Sequence, residues 1–593
     1  MQDRLFDRRT LDFLLFDALD AAELFNWRRF ADHDREGAAA MLDSAAVIAA
    51  ECFAPHNRKA DDNEPRMIDG KAAVNPEVKA ALDRYIAAGF LSATADYDQG
   101  GLQLPFLLHT AAGMMFAAAN VGTKSYAGLT TAAANLLAAR GDDYLKRRYL
   151  PNLRQGRSFG AMALTEPQAG SSLGDLKTRA VPVGDGSYRL FGQKIFISAG
   201  DHELSENIVV MTLARLPDAP AGVKGISLFL VPKYLADEDG APGRRNDVAL
   251  AGLIHKMGWR GTTSTVLNFG ENDGAVGWMI GKPNQGLAAM FHMMNEARIG
   301  VGAGAAALGW AGYRESLAYA KERRQGRPLD ERDPDAPPVP IIDHPDVRRM
   351  LLAQKAYVEA AVGLCLYAAR LVDVRDAHPD AAARADAGLL LDVLTPVAKS
   401  WPSQWGVEAN SLAMQIHGGY GYTRDYPVEQ YFRDNRLNPL HEGAHGIQAL
   451  DLLGRKVVMS DGRGFQLLCA AIRASAVNPL GELAELATRL LDAVTRMERT
   501  TQTLVAARMS AGLNVALGNA SAYLDAVGHV AAAWRLYVHA AAALRVGGDP
   551  AFAQGELAAC RWFVAWELPK VDNWFATLAT LERTALDAPE DGF

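Results

Sequence analysis

Glu442 is the residue whose neighbours best equip it for chemistry. It stands in His441-Glu442-Gly443-Ala444-His445, downstream of a glycine-rich turn (Gly418, Gly419, Gly421) and a charged approach (Arg433, Asp434, Arg436). A carboxylate so placed is a general-base candidate. The pentapeptide matches H-E-x-x-H, which on a helix sets two imidazoles on one face for zinc. The context is wrong for that. Pro439 precedes the motif and glycine follows the glutamate, so a helix begins there at best. No third ligand stands out downstream, and no metal is expected. A second short motif, Gly170-Ser171-Ser172-Leu173-Gly174, matches the G-x-S-x-G hydrolase elbow. That elbow needs a strand, a sharp turn and a helix. Here Glu166-Pro167 stands where the strand should end, and the chain leads back into β-rich sequence. A third, Gly302-Ala303-Gly304, imitates part of a dinucleotide fingerprint but has no strand before it.

The elements that must position Glu442 follow from pattern. Residues 1 to about 160 are rich in Ala and Leu at helical spacing, with turn-rich breaks at Pro55 to Pro65 and Tyr97 to Leu104. Leu11 to Phe25 reads as a short amphipathic segment. From Ser158 the texture becomes β-rich: Tyr188 to Phe191, Lys194 to Ile197, Ile208 to Leu213, Gly225 to Val231 and Thr265 to Phe269. From Gly286 the helical period returns, broken at Gly326 to His344 and at His378-Pro379, enough for a four- or five-helix bundle. A further Ala/Leu-rich helical region completes the chain.

The chain has 593 residues, too many for a single core. It is 49% apolar and 22% charged, as soluble globular proteins are. A net charge of −8 argues against a nucleic-acid binder, which needs clustered Lys and Arg. Cys52, Cys365, Cys469 and Cys560 have no pair spacing and read as buried thiols in a reducing compartment. The first residues are charged, so no secretory signal is expected, and no uninterrupted apolar run reaches the ~20 residues of a membrane span. A cytoplasmic protein is expected.

The stretch from Gln415 to Lys456 holds five spaced elements in order: Gln415 to Gly421, Tyr426-Pro427-Val428-Glu429, Arg433-Asp434, Glu442-Gly443 and Ile447-Gln448. It closely resembles the C-terminal signature of the acyl-CoA dehydrogenases. Met162 to Ser172 resembles that family's Thr-Glu-Pro-x-Ala-Gly-Ser loop, and Lys194 to Ser198 its Lys-x-aromatic-Ile-Thr/Ser strand. The resemblance covers residues 40 to 456, with the added C-terminal region pointing to a long bacterial branch that includes 3-methylmercaptopropionyl-CoA dehydrogenase.

This resemblance implies FAD as cofactor. Met162, Leu164, Thr165 and Ser171 would meet the flavin, Phe196 would shield one of its faces, and Ser198 would hydrogen-bond near N5. Arg323 would reach the diphosphate across a subunit boundary, with Gln415, Gly418 and Gly419 completing that site. The insertion after Arg323 replaces the family's usual Thr-Phe-Gly, and Ala444 stands where the family often has threonine. His255 to Trp259 resembles a Lys-Met-Gly strand leaving the barrel. Ser171, Asn295, Arg298 and Gly443 would lie at the acyl-CoA. Glu442 would take the α-proton while hydride leaves the β-carbon for flavin N5, the electrons passing to an electron-transfer flavoprotein.

The fold expected is mainly α with a central β-barrel domain and an extra C-terminal helical domain. The divisions are an N-terminal extension (1–35), an N-terminal helical domain (36–160), a middle β-barrel domain (161–285), a helical bundle carrying the base (286–456) and an additional helical domain (457–593). The expected assembly is a homodimer, on the hypothesis that residues 457–593 cover the surface smaller relatives use for tetramers. Two other chemistries share these motifs: an acyl-CoA oxidase using oxygen, and an alkylation-response flavoprotein associated with DNA. The latter's basic patch is absent from 457–593.

Overall fold

The structure, a computed structural model, describes residues 2–593, leaving out the side chains of Gln2, Asp3, Phe291, His292, Met293 and Asn295. The chain divides into two compact units, a mixed unit (Ala40–Leu104 and Ala119–Gly300) and a helical unit (Met1–Ala39, Pro105–Ala118 and Val301–Phe593).

The mixed unit is built on an eight-stranded sheet. Its strands are β3 (Ser158–Ala163), β4 (Arg179–Pro182), β5 (Tyr188–Ser198), β6 (Asn207–Arg215), β7 (Ile226–Pro232), β10 (Val248–Leu253), β11 (Ser264–Phe269) and β12 (Ala275–Ile280). Two small ribbons complete the count: β1 (Arg66–Ile68) with β2 (Lys71–Ala73), and β8 (Tyr234–Ala236) with β9 (Pro242–Arg245). The order across the large sheet is β10-β11-β5-β12-β7-β6-β3, and β4 bonds to both β5 and β6. β6 and β7 are apolar almost throughout because both their faces are covered. Ile208 and Val210 of β6 face a core with Leu190, Phe229 and Phe269. Val209, Met211 and Leu213 face the opposite way, onto Leu136, Tyr149, Leu153 and Met290 from helices.

The helical run Phe106–Arg140 is broken at Asn120, which leaves helical geometry; its side chain accepts from Thr123 N–H at 3.0 Å and so starts the second segment. The expected strand at Lys256–Gly258 is not one. β10 ends at Leu253, and the following turn is pinned by Lys256 Nζ on Thr262 O at 2.7 Å. One helical stretch, Arg35–Asp62, is long and apolar enough by length and composition to cross a membrane, and 39% of its most apolar window is buried. It escaped the sequence reading because charged residues interrupt it.

The helical unit carries the expected bundle: Gly286–Glu322 (from Val301 onward), Pro345–Ala377, Ala381–His417, Val428–Asn435 and His445–Gly454. Pro402 lies inside the Ala381–His417 helix and cannot donate to Ala398 O. The thiol of Cys365 donates to that oxygen instead, at 3.6 Å. Gly302 lets the neighbouring helix close in there, since a Cβ at Gly302 would meet Ala398 O at 1.9 Å. The Gly302-Ala303-Gly304 motif is therefore a helix contact.

The N-terminal segment is buried through Leu11, Phe13, Leu14 and Leu15, and is tied by Arg9 to Asp549 at 2.8 Å and by Asp7 to Arg314 at 3.4 Å. Leu11 to Phe25 is therefore packed on several sides, largely as a wide π-helical turn (Phe13–Ala18) and a tighter 3-10 turn (Ala21–Asn26). Beyond Gly454 the main helices are Arg463–Ser475, Ala484–Ser510, Ala520–Val546, Pro550–Trp566 and Lys570–Ala579. Ala520–Val546 is the central one, buried along most of its length.

Candidate active site

In the mixed unit, the expected flavin loop leaves β3 at Ala163. It folds back at once, because Glu166 and Ala169 exchange both backbone hydrogen bonds across Pro167-Gln168. Ile195 N–H donates to Thr165 O at 3.0 Å, which fastens the loop to β5. Beneath the loop lies a fully buried ion pair, Lys194 Nζ to Glu166 Oε1 at 2.9 Å. Lys194 also donates to Leu164 O at 2.9 Å. Glu166 further accepts from Lys177 N, Thr178 N, Thr178 Oγ1 and Gln168 Nε2. Burial alone would push the Glu166 carboxyl up, but Lys194, the Lys177 N–H and the Thr178 hydroxyl outweigh it and hold the pKa down at about 2. Sequence reasoning treated Glu166 as part of a turn and Lys194 as part of a strand. The signal available was a lysine at an interior position of an alternating strand.

β5 bulges opposite Val266, since Thr265 pairs with Ile197 but Leu267 pairs with Lys194. At the bulge Phe196 has a left-handed backbone (φ 61°) and the residue is 60% exposed. An aromatic residue held in that conformation and turned outward has no packing reason within this unit to be there. Ser198 is half-buried at the end of the same strand, and Ser171 is exposed on the loop. Ser172 Oγ donates to Asp175 at 2.6 Å within a 3-10 turn, so the G-x-S-x-G motif forms no strand–turn–helix elbow. Arg298 is buried in the same unit. Near it Glu296 accepts from Asn135 at 2.9 Å, and Asn135 accepts from Arg154 at 2.9 Å. The side chain of Asn295 lies outside the described residues.

In the helical unit, Glu442 sits on a tight turn between the Val428–Asn435 and His445–Gly454 helices. Its own φ is 52° and that of Gly443 is 88°. Two successive left-handed residues suit glycine and strain a glutamate. A Cβ on Gly443 would meet Gln448 Nε2 at 2.4 Å. The turn is gripped from within: Lys399 Nζ donates to Asn438 O at 2.8 Å and Gly443 O at 2.7 Å, and Gln448 Nε2 donates to Glu442 O at 3.0 Å. Burial, aided by the charge of Lys399, pushes the His441 imidazole down to about 3, so it stays neutral. The helix begins only at His445, whose Nε2 lies 3.0 Å from Asp525. His441 and His445 are thus not one turn apart on a helix, as the zinc motif requires. Among the described residues no group of three His, Cys, Asp or Glu is placed to hold a metal ion.

The remaining expected cofactor residues of this unit are drawn together by a ring stack, Tyr319 on His417 at 4.2 Å. Arg323 lies one helical turn beyond Tyr319, and its side chain is exposed. Gln415, Gly418 and Gly419 flank His417 and are exposed. Gly418 has φ 60°, and no atom lies within 4 Å of where a Cβ would be on Gly418 or Gly419. Gly421 differs: a Cβ there would strike Met414 O at 2.1 Å. The segment after Arg323 closes on itself, with Gln325 N on Val339 O, Val339 N on Gly326 O, Ile341 N on Arg323 O and Arg327 Nε on Ala336 O.

Comparison with known proteins adds an independent line. Residues 35–157, 161–270 and 284–457 match the family models for the N-terminal, middle and C-terminal domains of acyl-CoA dehydrogenases. Residues 468–589 match the model described as "Acetyl-CoA dehydrogenase C-terminal like". The chain is 38% identical over 545 residues to the 3-methylmercaptopropionyl-CoA dehydrogenase of Ruegeria pomeroyi, covering 89% of this chain and 90% of that one. It is 34% identical over 606 residues to the broad-specificity linear acyl-CoA dehydrogenase FadE5 of Mycobacterium tuberculosis, covering 98% of both. A Bacillus anthracis acyl-CoA dehydrogenase solved in complex with FAD shares the fold, with a TM-score of 0.74 at 19% identity over 97% of this chain and 92% of that one.

Proposed function

The chain belongs to the acyl-CoA dehydrogenase family, and from that premise we propose that it dehydrogenates an acyl-CoA thioester between its α and β carbons, giving the trans-2-enoyl-CoA. The observation that carries the reading is the half-buried Glu442, presented on a strained turn whose carbonyls are held by Lys399 and Gln448. Glu442 takes the α-proton. A free carboxylate is too weak a base for this, so partial burial against substrate must raise its basicity, and hydrogen bonds to the thioester carbonyl must stabilise the enolate-like charge. Gly443 leaves room for substrate to lie along the backbone.

The cofactor is FAD, and the residues present suit it. Phe196 offers an outward ring on a strained backbone, and Gly418 and Gly419 leave open space where side chains would stand. Met162, Leu164, Thr165, Ser171, Phe196 and Ser198 would hold the flavin end. Arg323, Gln415, Gly418 and Gly419 would hold the dinucleotide end across a homodimer. When bound, FAD supplies the hydride acceptor for the β-carbon. Asn295 and Arg298 would contact the acyl-CoA, and an electron-transfer flavoprotein would receive the electrons.

The test is the visible spectrum of the purified protein under anaerobic titration with acyl-CoAs of graded length. Flavin bands that bleach with the wild type, and do so at least about a hundredfold more slowly in Glu442→Gln, support the assignment. Wild-type bleaching by Glu442→Gln would remove Glu442 as the base.

A further inference from the structure

Lys399 lies on the Ala381–His417 helix and is completely buried. Burying an ammonium is costly, and a merely structural tether at this point needs only a neutral donor. The ammonium donates to two carbonyls, of Asn438 at 2.8 Å and of Gly443 at 2.7 Å, which bracket Glu442 on both sides. Inside that clasp Glu442 and Gly443 both have positive φ, at 52° and 88°. A glutamate does not rest there unaided, so the turn must be over-determined by its surroundings. Gln448 adds a third grip on Glu442 O at 3.0 Å. His441 stays neutral beside them.

Both elements that bear the clasp are backed by the Ala520–Val546 helix of the C-terminal region. Trp401, two residues beyond Lys399, donates to His529 at 3.3 Å, and His445 lies 3.0 Å from Asp525. At Gly528 a Cβ would come within 2.5 Å of the Trp401 ring, so a side chain there would push on the wall behind Lys399.

We propose that Lys399 is the positioning residue of the base: its ammonium draws in the carbonyls on either side of Glu442 and so aims the carboxylate at the α-proton, with the C-terminal region acting as the rigid backing of this clasp. The inference rests on Glu442 being the base, and the experiment separates the two claims. Full-length, flavin-loaded Lys399→Met and Lys399→Gln are compared with wild type and Glu442→Gln by steady-state kinetics and by hydrogen exchange of residues 438–448.

In Lys399→Met, kcat is expected to fall at least about a hundredfold while KM for acyl-CoA stays within about threefold and the flavin spectrum is retained. Exchange in 438–448 rises at least about tenfold. Lys399→Gln keeps a donor for one carbonyl and recovers at least about tenfold of the lost kcat. A Lys399→Met enzyme with wild-type kcat and wild-type loop exchange would overturn the proposal. So would a variant pair that loses flavin and exchanges faster throughout the helical unit, since that assigns Lys399 to folding alone. Wild-type turnover in Glu442→Gln refutes the base assignment itself. Exchange then decides the clasp separately, unchanged protection of 438–448 in Lys399→Met overturning it.

Discussion

Replacing Lys194 by methionine removes the cation beneath the flavin loop while keeping most of the side chain's volume. Glu166 is then left without its cation in a site where its side chain is only 3% exposed. Lys194 and the Lys177 and Thr178 donors together hold the Glu166 carboxyl down at about 2 against burial that would raise it, while burial lowers the Lys194 ammonium to about 8, so the carboxyl's gain is offset in part by the cost of burying the lysine. The folded value is depressed, so this contribution is fully present above pH 4.5 and is lost as pH falls toward 2. Removing one partner of such a pair leaves the other buried and uncompensated, which costs about 3–5 kcal/mol. Lys194→Met also loses the bond to Leu164 O that holds the start of the loop.

The assay is hydrogen exchange of the amides of Lys177, Thr178 and β5, with flavin content measured after gel filtration. At about 1.4 kcal/mol per tenfold, the opening equilibrium should rise roughly a hundredfold, and flavin should be retained poorly. In a double-mutant cycle with Glu166→Gln, the paired loss should be smaller than the sum of the single losses. Exchange within about threefold of wild type in Lys194→Met would refute the reasoning, because the pair would then be a passenger of the fold and not its fastening.

Other outcomes can be checked on the same protein. His202 is buried between Tyr126 and Phe159, accepts from Leu204 N–H at 3.2 Å, and is pushed down to about 3 by burial and by Lys233. Its stabilisation is complete above pH 6.5 and drains away as pH falls toward 3, by about 2 kcal/mol between 6.5 and 5. His202→Gln should flatten the urea midpoint over that interval, and an unchanged pH slope counts against the account. Gly302→Ala should destabilise by at least about 2 kcal/mol, because its Cβ would meet the backbone oxygen of Ala398 at 1.9 Å; a thermal midpoint equal to wild type would contradict the packing. Phe196→Gly relieves a left-handed phenylalanine worth about 1 kcal/mol, so the flavin-free protein should be no less stable while flavin affinity drops at least about tenfold; unchanged affinity in a titration would take Phe196 out of the cofactor site.

What the sequence determined by itself was local. The type and order of the residues around Glu442, the apolar runs of β6 and β7, and the return of helical period at Gly286 are all legible, because burial imposes a period on each element separately. The family likewise followed from motifs several residues long. Tertiary structure decided how those motifs are held. Lys194 reaches Glu166 across 28 residues, and Lys399 reaches Gly443 across 44. Neither pairing leaves a periodic trace, since a buried lysine and an exposed one are spelled alike.

The positive φ of Phe196 and Glu442 is equally unreadable, because neither residue type favours it. Each is imposed from outside, one by a bulge opposite Val266 and the other by a clasp of donors on carbonyl oxygens. The Lys256–Gly258 turn and the break at Asn120 went unread for a different reason. Hydrophobic periodicity there carries no sign of the short-range hydrogen bonds that decide the backbone, to Thr262 O six residues on and from Thr123 N–H three residues on.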